Sequence, residues 1–279
     1  MQRIGNELVL SPTDLTKHLG CPHITTLDLL QLDGLAQPGA AEDALELIFK
    51  LGLAHEDTYL HSLRARGLAV TSIEAATPGV SRAERERETV AAMQSGVDVV
   101  YQGTFFDGAW GGQADFLLKV ERPSALGPWS YDIADTKLAR KLKVPALIQM
   151  AAYAERLAVL QGVAPEKLYV VTGDGQERPW RLVDVGAFAR RARARLRDVI
   201  ELRPETSPVP TAQCGQCRWI EHCDRQWKYE DDLSLVAFMR NDHRQVLQEN
   251  GITTLAALGS LAADELPKEI GKPLSLIHI

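Results

Sequence analysis

The stretch Trp129-Ser-Tyr-Asp-Ile-Ala-Asp-Thr-Lys137 sets a carboxylate and an ammonium at alternate positions of one extended segment. Alternate residues of a strand share a face, so Asp135 and Lys137 project together, away from Asp132, Ala134 and Thr136. Upstream, Gly111-Gly-Gln-Ala-Asp115 supplies Gln113 and a second carboxylate on the preceding strand, and its glycine pair permits a bulge or a close backbone approach. Two carboxylates beside a lysine suit a hard divalent cation, which takes oxygen ligands, and the lysine could stabilise developing negative charge. The same tripeptide, Asp-x-Lys, also fits a surface ion pair at a strand end. Downstream, Gln149 and Tyr153 are four residues apart and stack on one helix face, where both can hydrogen-bond a phosphate or orient the lysine. His55, within Gly52-Leu-Ala-His-Glu56, is either a satisfied structural histidine or, as neutral imidazole, a further metal ligand.

A second constellation is Cys214-x2-Cys217-x5-Cys223, with the fourth cysteine, Cys21, far upstream. Three thiols so closely spaced in a cysteine-poor chain read as ligands, against the alternative of buried, unligated thiols. With Cys21 they could hold either a tetrahedral zinc or an iron-sulfur cluster, and spacing does not separate the two. Such a site would pin an N-terminal helix to the C-terminal segment.

The elements that must position these residues are partly readable. Ser11-Pro-Thr-Asp14 marks a helix start, with Ser11 as N-cap, ending near Gly20-Cys21-Pro22. Apolar residues recur at helical spacing from Ala41 to about Arg66, predicting a long helix or a broken pair closed by Gly67. Ser81-x-x-Glu84 is a capping box opening a charged helix that runs towards Gly96. Residues 97–106, 110–120 and 129–137 read as three strands in a meander. A helix is expected from Pro145 to about Leu160, then strands from Leu168 to Thr172 and, beyond a Gly-Asp-Gly turn, towards Val183. Asp184 is expected to cap a helix carrying Arg190, Arg191, Arg193, Arg195 and Arg197, a series that reads equally as a solvated face or a DNA contact. A linker at 204–210 leads to the cysteines, and 233–273 is expected to be helical again, with Gly251-Ile-Thr-Thr-Leu255 joining two helical patterns. Strands enclosed by helices on both sides predict an α/β sandwich.

Composition limits the alternatives. The chain has 279 residues, 45% hydrophobic and 24% charged, which excludes a disordered chain, a collagen or a disulfide-stapled miniprotein. Uncharged stretches such as 144–154 and 251–263 are too short to cross a bilayer. The N-terminus has no apolar run with a cleavage site, so a cytoplasmic protein without membrane contact is expected. With 31 Lys+Arg against 37 Asp+Glu, the net charge of −6 argues against a surface coated with nucleic acid and allows a local basic groove. Residues 274–279 read as a non-native tail, so the natural protein is expected to continue past 273.

The order His55, Gly112-Gln-Ala-Asp115, Asp135-Thr-Lys137 and Gln149-x3-Tyr153 resembles the PD-(D/E)xK nuclease superfamily in its RecB-like branch. The cysteine frame is similar to that of the iron-sulfur members, among them the CRISPR-associated iron-sulfur exonucleases and AddB-type nuclease domains. Asp135-Thr-Lys-Leu-Ala-Arg140 and Asp231-Asp-Leu-Ser-Leu235 resemble an uncharacterised bacterial group of that branch, and the resemblance covers about residues 8–240. It implies a restriction-endonuclease-like core, a mixed central sheet flanked by helices, with helical N- and C-terminal segments joined by a metal cluster. It implies a nuclease domain over 1–232 and a truncated, helix-hairpin-helix-like segment over 233–273.

By the same resemblance His55, Asp115, Asp135 and the main-chain carbonyl of Thr136 would bind Mg or Mn. Lys137 would position or activate the attacking water, and Gln149 and Tyr153 would orient the lysine or contact the DNA backbone. Cys21, Cys214, Cys217 and Cys223 would hold a 4Fe-4S cluster, with zinc as the alternative. The one departure is Asp135 where Glu is common, which shortens the reach by one methylene. The implied activity is Mg- or Mn-dependent DNA hydrolysis, exonucleolytic, in repair, recombination or defence, on DNA that is single-stranded or has free ends. A fused or associated helicase or second nuclease domain is an implied partner. Arg140, Lys141 and Lys143 would supply local positive charge for phosphates. Trp219 and Trp227 read either as packing around the cluster or as base-stacking groups. The rival reading is a non-catalytic nucleic-acid-binding module with a structural zinc or iron-sulfur site.

Overall fold

The computed structural model describes residues 1–39, 43–73, 80–262 and 265–270. The expected tail at 274–279 lies outside the described residues, as does the start of the long helix at Ala41. The chain forms two compact units, one of residues 1–19 and 42–203, the other of 20–41 and 204–279.

In the first unit, β1 (Gln2–Ile4) and β2 (Glu7–Val9) form a short hairpin ahead of α1 (Pro12–Gly20). Ser11 and Asp14 cap α1 reciprocally, and the N-terminal ammonium pairs with buried Asp14. The helix α3 (Asp43–Ala65) is unbroken. After it come β3 (Val70–Ser72), α4 (Arg82–Gln94), and the meander β4 (Val99–Phe106), β5 (Gly111–Val120) and β6 (Ser130–Lys137). α5 (Val144–Gln161) opens on a proline and closes on left-handed Gly162. β7 (Lys167–Thr172), β8 (Glu177–Arg181) and α6 (Leu182–Leu202) complete the unit.

The six larger strands form one mixed sheet in the order β3-β4-β5-β6-β7-β8. β3 pairs with β4 and β6 with β7 in parallel, and the other pairs are antiparallel. Consecutive residues divide between two cores: Leu117, Ile133 and Val170 pack with α4, α5 and α6, whereas Phe116, Ala134 and Val171 pack with Tyr59, Leu60 and Leu63 of α3. Both faces of β6 are therefore covered, and all of it except Lys137 is buried. This is the expected α/β sandwich with helices on either side of a mixed sheet.

The alternation breaks at one place. Gln102 takes a left-handed conformation, with φ of 57°. Tyr101 packs on the α3 side, yet Gly103, two residues on, faces Thr89 of α4. The partner strand switches with it, since Ala114 belongs to one core and Phe116 to the other. Asp115 sits at the switch. Strain of this kind costs roughly 1–3 kcal/mol and persists where the surroundings over-determine it.

The second unit contains α2 (Pro22–Leu32), α7 (Ile220–Tyr229), α8 (Asn241–Glu249) and α9 (Leu255–Gly259). Ile24 and Leu27 of α2 pack with Trp219, Cys223 and Trp227, and a separate small core gathers Leu233, Val236, Leu247, Leu258 and Ile270.

One local reading needs correction, and three elements are additional. The N-cap of α6 is Arg181; Asp184 lies inside the first turn and pairs with the Arg181 guanidinium instead. After 233 the two expected helical patterns are α8 and α9, with one single turn before and one after them among the described residues, and they are joined across 251–255 as expected, where Gly251 is left-handed and Thr254 caps α9 on the Ala257 amide. The β1–β2 hairpin, α2 and β3 are additional elements, each too short or too uniformly apolar to show a clear period.

Candidate functional site

Asp135 is the next-to-last buried position of β6, 5% exposed, and Lys137 is at the open end of the strand. As the two-residue spacing predicts, the Lys137 ammonium pairs with Asp135 Oδ2. Burial pushes the Asp135 carboxyl well above its usual range; the charge of Asp115 adds to this, Lys137 opposes it, and Glu56 raises it further. On β5, Asp115 is fixed by Thr136: its Oδ2 accepts from the Thr136 amide at 3.0 Å and from Thr136 Oγ1 at 3.2 Å. Thus the two carboxylates come from adjacent strands, and the bond to Thr136 sets their register.

The structure adds a third carboxylate. Glu56 of α3 is 8% exposed, and Gln102 Nε2 donates to its Oε1. Burial raises its pKa first and Asp115 second, while Tyr101, Gln102 and Lys137 oppose the rise. The sequence does carry a signal for it. Glu56, Tyr59, Leu60 and Leu63 fall at i, i+3, i+4 and i+7, so an acid occupies the first position of the buried stripe of α3. His55 lies off that stripe, and its Nε2 donates to the Val171 carbonyl of β7 at 3.3 Å.

From α5, Tyr153 is buried and its hydroxyl reaches over β5 to the point where a Cβ on Gly112 would stand, 2.7 Å away. The glycine is required there for space. The phenol oxygen meets the Gln149 side chain and the Gln113 backbone, and burial holds its pKa above the ordinary tyrosine value. Gln149 and Tyr153 therefore share one face and one contact, as their spacing predicts.

Among the described residues, no three His, Cys, Asp or Glu side chains form a ready-made metal cage. The donor set at the sheet end nonetheless fits a hard divalent ion: Asp115, Asp135 and Glu56 are oxygen donors that repel one another, and a cation would relieve that repulsion. The four cysteines, all in the second unit, line one cavity of about 20 Å³ with Pro208, Ile220 and Trp227. Burial, followed by the other three thiols, pushes Cys223 up to about 12. Cys21 is raised too, by burial first and by Cys214 and Cys217, against the backbone amides of Ile24 and His23. Thiols that hinder one another's ionisation are suited to a positive centre among them. Trp219 and Trp227 are buried beside them, donating to Asp28 Oδ1 and the Pro208 carbonyl, so both serve as packing groups.

The basic residues Arg140, Lys141 and Lys143 are exposed on the segment after β6. Within the arginine series of α6, Arg193 is engaged structurally: it pairs with Glu155 and stacks on Trp110, 4.3 Å from the ring centre. Arg190, Arg191, Arg195 and Arg197 are exposed. No family model matches the chain, and no curated protein is similar to it at a significant level.

Proposed function

We propose that the chain is a metal-dependent nuclease that hydrolyses phosphodiester bonds in DNA by attack of water. The observation that carries this reading is the buried Asp135 carboxylate, held between Asp115 and Lys137 at the end of a central strand. A structural ion pair gains nothing from a second carboxylate close by, whereas a divalent-cation site requires one. Asp115 and Asp135 would hold Mg or Mn, with Glu56 facing the same space. The ion would polarise a phosphoryl oxygen and lower the pKa of water.

The protein's own part in the reaction follows from its geometry. Thr136 fixes the Asp115 oxygen, so the spacing of the two carboxylates is set before substrate arrives. The Lys137 ammonium stands at the strand end, where it can leave Asp135 to stabilise charge on the phosphate. The Tyr153 phenol, kept protonated by burial, can donate to a phosphate oxygen. The preference for DNA and the 4Fe-4S assignment for the cysteines rest on the family resemblance.

The test is cleavage of single- and double-stranded oligonucleotides by protein purified with its thiolate site intact, with Mg or Mn added. Asp115→Ala, Asp135→Ala and Lys137→Ala are each expected to remove cleavage while circular dichroism stays that of the wild type. Absence of cleavage by the wild type with either metal overturns the reading, and binding without cleavage would point to a non-catalytic module.

A further inference from the structure

Arg82 and Arg85 stand one turn apart at the start of α4, both half-buried, in positions that do not favour stability. A positive charge in the first turn of a helix opposes the helix dipole. Each guanidinium also repels the other, and burial with that repulsion lowers the Arg82 pKa, outweighing the opposing pull of Tyr153 and Asp14. Comparable arginines of the same unit hold acids: Arg122 with Asp132 and Glu166, Arg156 with Glu86, Arg193 with Glu155. Among the described residues, Arg82 and Arg85 pair with none, and Arg85 Nε is buried with no partner at all.

Their location is specific. Arg82 Nη1 stands 2.9 Å from where a Cβ on Gly111 would be, and its charge is within reach of the Tyr153 phenol that covers the neighbouring Gly112. The two adjacent glycines thus admit two polar tips, a guanidinium and a phenol, and the phenol belongs to the candidate site. We propose that Arg82, supported by Arg85, binds a backbone phosphate of the substrate strand beside the one that is cleaved. This rests on the nuclease reading and extends it by a binding residue outside the recognised motifs. A planar guanidinium with free N–H groups suits a phosphate, and the anion would remove both the repulsion between the arginines and the clash with the helix dipole.

The experiment measures binding of a labelled single-stranded oligonucleotide to the full chain, without divalent metal, over a range of salt concentrations. Each phosphate contact on a single strand contributes a slope of about −0.7 in log K against log salt. Arg82→Gln is expected to flatten the slope by about that amount and weaken binding roughly tenfold at low salt, equally for all base sequences. Arg82→Lys should restore the slope. Arg87→Gln, an exposed position on the same helix, should leave it unchanged. With metal added, Arg82→Gln should raise KM with little change in kcat. An unchanged slope in Arg82→Gln, or an equal change in Arg87→Gln, overturns the proposal. Wild type that binds with an Arg82-dependent slope but never cleaves sinks the nuclease reading and leaves only the Arg82 phosphate contact standing; cleavage with an Arg82-independent slope sinks the contact and leaves the nuclease reading.

Discussion

Asp135 is expensive to ionise in the folded protein and cheap to ionise in the unfolded one, so without metal it opposes folding at neutral pH. A carboxyl raised on folding binds its proton more tightly in the native state, so stability falls as pH rises above the ordinary carboxylate range. Asp135→Asn should therefore melt at least as high as wild type at pH 8 without metal. Wild type should gain melting temperature with Mg or Mn, and the variant should gain none; thermal melts with and without metal check both. Asp232 illustrates the opposite sign. Burial would raise it, but Arg244 and Ser234 outweigh this and hold it below the ordinary value. Its contribution is complete above about pH 4, the unfolded value, and is lost as pH falls through the lower folded value. Urea midpoints measured from pH 6 to pH 2 should fall more steeply in wild type than in Asp232→Asn. At pH 7, Arg244→Met should cost about 3 kcal/mol, since it leaves a buried carboxylate unpaired.

Among the elements, those that place the site were largely legible before the structure, for identifiable reasons. The meander of β4, β5 and β6 has β-branched and aromatic runs separated by turn residues, and the capping box of α4 forms as written, with Ser81 and Glu84 bonded reciprocally. The pairing of Asp135 with Lys137 needs only a strand. What could not be read is the reversal of facing at Gln102, because no residue type announces a left-handed glutamine inside a strand. That reversal stands opposite Asp115 and brings the Gln102 side chain to Glu56, a contact that period-two reasoning across β4 and β5 does not show. Gly112 gives this scale its test. A methyl there meets the Tyr153 hydroxyl at 2.7 Å, and the buried phenol has little room to give way. Gly112→Ala should lower kcat tenfold or more by displacing Tyr153, with a loss in stability of about 1–3 kcal/mol, the usual cost of overpacking; steady-state kinetics and a melt on one preparation separate the two effects.

The second unit is made from two stretches, 20–41 and 204–279, separated in sequence by residues 42–203 of the first. Its described residues form two small cores, so a centre shared by four thiols would contribute much of its stability. Cys223→Ser should lower bound iron or zinc together with the melting temperature of this unit, and metal analysis beside hydrogen exchange at α2 and α7 reads both. Visible absorption would separate iron from zinc. The divided sequence also imposes an order in time. Cys21 leaves the ribosome about 190 residues before Cys214, which at roughly 5–20 residues per second is on the order of ten to forty seconds. During that interval residues 42–203 can complete their own sheet, while Cys21 waits as a lone thiol. A centre held by the four cysteines would have to arrive late, after most of the chain has been synthesised, and an oxidant that reaches Cys21 first would leave a finished sheet beside a site short of one thiol.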